Sequence, residues 1–233
     1  MKSIKIVSCI LAAGMLFTSC NISNTGKGAL IGGGSGAAVG AGLGAIFGKG
    51  KGAAIGAAVG TTAGALIGKK MDKAAEQAKQ VEGAQVEQVT DNNGLQAVKV
   101  TFDSGILFST SSSNLSSSAK SSLSKFANDV LNQNRDMDVT IYGYTDNQGW
   151  KNSTAEQSYQ KNLNLSQERA QSVASYLLAC GVSTNQIKSV QGMGEANPIA
   201  DNSTAAGRQE NRRVEIYLYA SQQMIQQAEA GTL

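Results

Sequence analysis

The apolar positions of the chain change period from one segment to the next, and each period predicts a different element. Residues 6–17 are almost uniformly apolar. From residue 28 to 68, aliphatic residues fill a strict four-residue glycine repeat. Residues 71–83, MDKAAEQAKQVEG, turn polar and helix-favouring, which suits a spacer. Next, AQVEQV and LQAVKVTF flank TDNNG, whose Asn and Gly supply the positive φ of a hairpin turn. Leu115, Ala119, Leu123, Phe126, Ala127, Val130 and Leu131 recur at helical spacing. Val139 and Ile141 alternate as a strand running into Gly143. Ala170, Val173, Ala174, Leu177 and Leu178 share one face of a second helix, with Gly181 placed to end it. Ile187–Gln191 reads as a short strand. Val214, Ile216 and Leu218 alternate with Glu215, Tyr217 and Tyr219, the pattern of a half-buried last strand. Residues 221–233 read as a loose tail.

Counted from the second strand of the hairpin, the order strand–helix–strand–helix–strand–strand predicts two helices on one face of a mixed sheet, an α/β two-layer sandwich. About 125 residues suffice for one core of that kind.

The apolar run at 6–17 follows Lys2 and Lys5 and ends at Thr18, Ser19 and Cys20, the layout of a cleaved export signal. Twelve residues rise only about 18 Å as a helix, short of a bilayer core of roughly 30 Å. The stretch LFTSC resembles the lipobox of bacterial lipoproteins, with Phe17 where Leu is usual. That resemblance implies that Cys20 becomes the lipidated first residue of the mature chain. Stable anchoring takes two or more acyl chains, which the lipoprotein modification supplies. Cys9 leaves with the signal and Cys20 takes lipid, so Cys180 has no partner and no disulfide framework forms.

Glycine costs up to about 1 kcal/mol per residue in a water-exposed helix, so its recurrence at every fourth position from Gly28 to Gly68 rules out a free-standing one. Against lipid or another helix, small residues four apart form a strip that lets backbones approach closely. The basic KGK at 49–51 divides the run into two arms of near-spanning length, a helical hairpin. The segment resembles the glycine zipper of bacterial envelope proteins. Three arrangements stay open: spanning the bilayer, lying in it, or packing against further copies as a homo-oligomer.

Charge divides along the same line. Residues 20–83 carry a net +4 and residues 84–233 a net −3. The basic part suits anionic lipid headgroups, and the acidic remainder lacks the basic stripe that nucleic acid requires. The chain has no histidine, which excludes His-based triads and His-ligated metals. No cofactor is implied.

TIYGYTDNQG, NLNLSQERAQSVASYLLACGV, GMGEANPIADN and GRQENRRVEIYL stand in this order within residues 98–219. Together they resemble the OmpA-like C-terminal domain shared with the peptidoglycan-associated lipoprotein. The resemblance implies a βαβαββ sandwich that binds, without catalysis, the peptidoglycan stem peptide at meso-diaminopimelate. Its motifs place the ligand-gripping aspartate at Asp146 and the arginine at Arg169. It adds Asn162 and Leu165 as pocket wall and the loop backbone at Thr110 and Ser111. Arg212 either reaches the same rim or makes a structural ion pair. Read singly, Asp146 is equally a turn-shaping residue and Arg169 a solvated helix charge. The pair makes chemical sense because the free end of diaminopimelate carries an ammonium beside a carboxylate, and charge-assisted contacts to each are the strong ones. Arg169 is expected near a helix start, where unpaired N–H groups also attract carboxylates.

Two departures from the family pattern stand out. The loop FSTSSSN lacks the family's aromatic–acid pair, which leaves it more polar and less fixed. Asp146 and Arg169 lie 23 positions apart, more than is usual, and the excess brings Trp150 and Tyr159 near the site as a lid, a sugar contact or a solvent bulge. The expected organisation is a signal at 1–19, a lipidated N-terminus at 20–27, a glycine-zipper hairpin at 28–70, a spacer at 71–83, an OmpA-like domain at 84–220 and a tail at 221–233. The leading function is an outer-membrane lipoprotein, its domain in the periplasm, that tethers lipid to wall. The alternative is an envelope assembly protein driven by the zipper. A wall hydrolase is disfavoured because no motif places two acids together.

Overall fold

The computed structural model describes residues 60–91 and 94–233. The signal, Cys20 and nearly all of the glycine repeat lie outside them. Among the described residues, five strands form one sheet in the order β1-β2-β5-β3-β4. β1 (Ala84–Thr90) and β2 (Gln96–Asp103) make the expected hairpin. Its turn is closed by Asp91, whose carboxylate accepts from the Leu95 N–H at 2.8 Å, and by Gly94 at φ 76°. β5 (Arg213–Ala220) runs antiparallel between β2 and β3 (Met137–Gly143), and β4 (Ile187–Gly192) pairs parallel with β3 at the edge. A mixed sheet follows, as the alternation of strands and helices requires.

Helices pack on one face. The short α2 (Ser104–Leu107) follows β2, α3 (Ser117–Phe126) continues through a π-turn at Ala127–Leu131, and α4 (Ala155–Ala179) lies over β3 and β4. Of the spaced apolar residues, Ala119, Leu123 and Phe126 of α3 and Ala170, Val173, Ala174 and Leu177 of α4 are buried, while Leu178 is half-buried. Gly181 ends α4 at φ 87°, with the Val182 N–H reaching back to the Leu177 carbonyl. α5 (Ala205–Asn211), which sequence periodicity does not indicate, caps the approach to β5.

Three expectations change. The stretch read as a spacer belongs to α1 (Thr61–Lys79), whose Ala63, Ile67, Met71, Ala74, Ala75 and Ala78 are buried in the main core. Its apolar stripe is mostly alanine, which reads as helix propensity but is also small enough for close packing on a sheet. Ala63 and Ile67 belong to the expected zipper hairpin, so its last turns pack on the domain. Asp72 accepts from Gln88 and Gln96, and Lys70 pairs with Asp136, fastening the middle of α1 to the hairpin and to the start of β3. The loose tail is likewise α6 (Gln222–Glu229), capped by Ser221, with Met224, Ile225 and Ala228 in the same core. Finally, β5 is buried on both faces rather than one. Its central place in the sheet explains this, together with a polar lattice on the second face. There the Arg213 guanidinium lies 3.8 Å over the Tyr144 ring and donates to Glu215 at 2.7 Å, and the Tyr217 hydroxyl donates to Glu215 at 2.9 Å.

Among the described residues no helix is long and apolar enough to cross a membrane. Met71→Ala separates the two views of α1. In a spacer it costs almost nothing; in this core it is expected to cost about 2–5 kcal/mol in denaturant unfolding, as buried Met-to-Ala changes do.

Candidate binding pocket and relatives

β3 ends at Gly143, and the chain runs through Tyr144 and Thr145 to Asp146 at the carboxyl edge of the sheet. α4 crosses this edge closely. A Cβ on Gly143 would strike the Ser166 carbonyl, and one on Gly192 would strike the Gln167 backbone. Glycine at both strand ends lets α4 seat backbone against backbone. Ser166 completes the seat by accepting from the Gly194 N–H at 2.9 Å.

Seated in this way, α4 delivers Asn162, Leu165 and Arg169 from one stripe. Arg169 is 4% exposed and Asp146 6%. The Arg169 Nε donates to the Ser112 carbonyl at 3.0 Å, and its guanidinium lies 5.3 Å from the Phe108 ring centre. Its Nη1 is buried and has no hydrogen-bond partner among the described residues. Burial first, and the charge of Arg212 second, lower the pKa of Arg169; Asp146 opposes both. Asp146, Arg169 and Arg212 therefore lie close enough to act on one another, one carboxylate with two guanidinium groups.

Arg212 resolves the choice left open by the sequence: its Nη1 pairs with Asp146 Oδ2. Its Nη2 donates to Gln209, which in turn donates to both carboxylate oxygens of Asp103 at 2.7 Å. Asp146 also acts as the turn residue, since its Oδ1 accepts from the Gln148 N–H at 3.0 Å. Asp146 thus does the turn-shaping work and also pairs with Arg212. A carboxylate has lone pairs for about four donors, so these two donors leave acceptor capacity unused.

Several expected details differ. Arg169 sits in the middle of α4, not near its start, because the residues beyond the usual spacing extend the helix backwards. The helix begins at Ala155, after a capping box between Thr154 and Gln157. Its free N–H groups are therefore some 20 Å from Arg169, at 1.5 Å per residue. The serine loop is also better fixed than its composition suggests. A bridge between Phe108 and Leu115 closes its base, and Ser112 Oγ accepts from the Asn114 N–H at 3.0 Å. Thr110 and Ser111 are exposed, Ser111 at φ 54°, and the carbonyl that meets Arg169 is that of Ser112. Leu165 is half-buried. Asn162 is 4% exposed and donates to the carbonyls of Asp146 and Gln148.

Sequence reasoning did not assign Phe108 or Ser112 to this pocket. Neither has a signal in spacing, since both arrive by loop closure.

Comparison with known proteins places this architecture. Residues 107–212 match the model of the OmpA family, and residues 1–72 match the YMGG-like Gly-zipper. Residues 107–212 are thus an OmpA-family domain, preceded in the chain by a glycine-zipper segment. The Escherichia coli protein named "probable lipoprotein YiaD" is 44% identical over 119 residues, 51% of this chain and 47% of that one. Peptidoglycan-binding protein ArfA of Mycobacterium tuberculosis is 49% identical over 88 residues, 38% of this chain and 24% of that one. The match thus spans about half the length of the first relative and less of the second. A MotB-like protein of Desulfovibrio vulgaris shares the fold, with a TM-score of 0.56 at 24% identity over 67% of this chain and 97% of that one.

Gly143→Ala tests the seating of α4. The added methyl meets backbone that cannot step aside, so a loss of at least about 1–3 kcal/mol is expected from overpacking, read as a lowered unfolding midpoint.

Proposed function

We propose that the domain binds peptidoglycan at the free end of meso-diaminopimelate in the stem peptide, and that the chain thereby tethers the outer membrane to the wall. The observation that carries this reading is the unpartnered Nη1 of a buried arginine. Buried polar groups are nearly always paired, so an orphaned guanidinium nitrogen in a pocket with a surplus positive charge calls for an anion. A ligand carboxylate answers it. The ammonium on the same ligand carbon then falls to Asp146, which Arg212 and the Gln148 N–H hold in place. The free end of meso-diaminopimelate carries both groups on one carbon. A lysine-type stem has no such carboxylate, so Arg169 would stay unpaired and the wrong wall would be rejected.

Support for a wall ligand also comes from the relatives, one of which is named a peptidoglycan-binding protein and another a probable lipoprotein. In the same reading Cys20 carries the lipid, the glycine segment lies at or in the membrane, and the domain works in the periplasm without catalysis. Anchoring raises the effective concentration of the domain at the wall, so modest affinity per site is sufficient. Copies gathered through the glycine zipper would add to it.

Binding to diaminopimelate-type and lysine-type muropeptides by calorimetry tests the assignment. Each charge-assisted contact is worth roughly 1.5–3 kcal/mol, so Arg169→Ala and Asp146→Ala are each expected to weaken binding by about 10- to 100-fold. The lysine-type ligand should bind wild type about as poorly as the first type binds Arg169→Ala. Wild-type affinity in both variants would refute the site.

A further inference from the structure

Trp150 lies in the residues that lengthen the spacing between Asp146 and Arg169, and its indole is turned toward the pocket. Nε1 donates to Oδ1 of Asn162 at 2.7 Å, and the Trp150 backbone N–H donates to Ser158 Oγ at 3.0 Å. Lys161 lies 5.8 Å over the indole ring and is itself held by Ser153 at 2.9 Å. Tyr159, on the same insert, is 42% exposed and takes no part.

The consequence falls on Asn162. A primary amide has an acceptor end and a donor end that differ little in shape, so its neighbours decide which way it faces. With an indole N–H at its oxygen, the NH2 end faces the carbonyls of Asp146 at 3.4 Å and Gln148 at 3.2 Å. Turned over, it would set oxygen against two carbonyl oxygens and NH2 against an N–H. Trp150 therefore permits one orientation. That orientation clasps both ends of the turn in which the Gln148 N–H donates to the Asp146 carboxylate.

We infer that Trp150 is a positioning residue, acting through Asn162 to hold the Asp146 carboxylate ready for its ligand. The inference rests on the reading of Asp146 as a ligand-binding group. It gives the lengthened segment a role other than lid or bulge: a brace inserted behind the acidic half of the pocket. A pre-set carboxylate binds more tightly because less ordering remains to be done on association.

Trp150→Phe keeps an aromatic ring and removes the N–H. In the full chain it is expected to weaken diaminopimelate-type muropeptide binding by about five- to tenfold, the value of one buried hydrogen bond. In an Asp146→Ala background the same change is expected to cost less than about twofold, because the group being positioned is gone. Amide exchange at Gln148, followed by NMR without ligand, should quicken in Trp150→Phe and stay unchanged in Tyr159→Ala. Asn162→Asp leaves the indole its acceptor but removes the donors to both carbonyls. It is expected to reproduce the binding loss and its background dependence, and it serves where Trp150→Phe does not fold. Equal losses in both backgrounds, or unaltered Gln148 exchange, would overturn the inference. A wild-type chain that binds no muropeptide, with Gln148 exchange still quickened by Trp150→Phe, would instead sink the ligand assignment and leave the brace standing.

Discussion

Everything in the pocket depends on how closely one helix lies against two strand ends. Gly143 and Gly192 leave no side chain between the sheet and the α4 backbone at Ser166 and Gln167. That contact sets the height of α4 over the sheet edge and hence where Asn162 and Arg169 stand relative to the loop carrying Asp146. A spacer of one methyl group at either glycine would lift the helix, and interiors packed at crystal-like density do not absorb such a shift locally.

The electrostatics then follow from burial. Arg169 is taken out of water, braced by the Ser112 carbonyl and the Phe108 ring, and left with one nitrogen unmatched. Arg212 spends its charge on Asp146 and, through Gln209, is tied to Asp103 at the start of α2. The acid is therefore fixed, and it stands between two guanidinium groups. In the proposed function, this arrangement takes a ligand with a carboxylate foremost and an ammonium close behind. Pre-organisation of this kind lowers the ordering cost of binding, which matters if the domain is tethered as proposed.

Much of the domain was legible beforehand. The hairpin, the two main helices and their buried faces followed from period alone, and the motif order pointed to the OmpA-like fold that the family match identifies. α1 and α6 were not legible as core, because their buried residues are mostly alanine or isolated apolar positions among Gln, Lys and Glu. Their burial is decided by what lies opposite. The double burial of β5 was hidden for a related reason. Glu215, Tyr217 and Arg213 look like a solvent-facing row until the lattice with Tyr144 joins them.

The same division holds for the pocket. Asn162, Leu165 and Arg169 were nominated by the resemblance of their motif to the OmpA-like domain, and helical geometry explains why one motif can deliver all three, since positions three, four and seven apart share one stripe. Asp146 was nominated by the same resemblance, its place at a strand end being equally that of a turn residue. What the linear order could not decide was everything set by contacts between distant segments: Arg212 joining Asp146, Ser112 rather than its neighbours meeting Arg169, and Trp150 turning inward to Asn162. Local periodicity is written into the chain residue by residue, whereas the partner of a given polar atom exists only once loops close and helices take their seats.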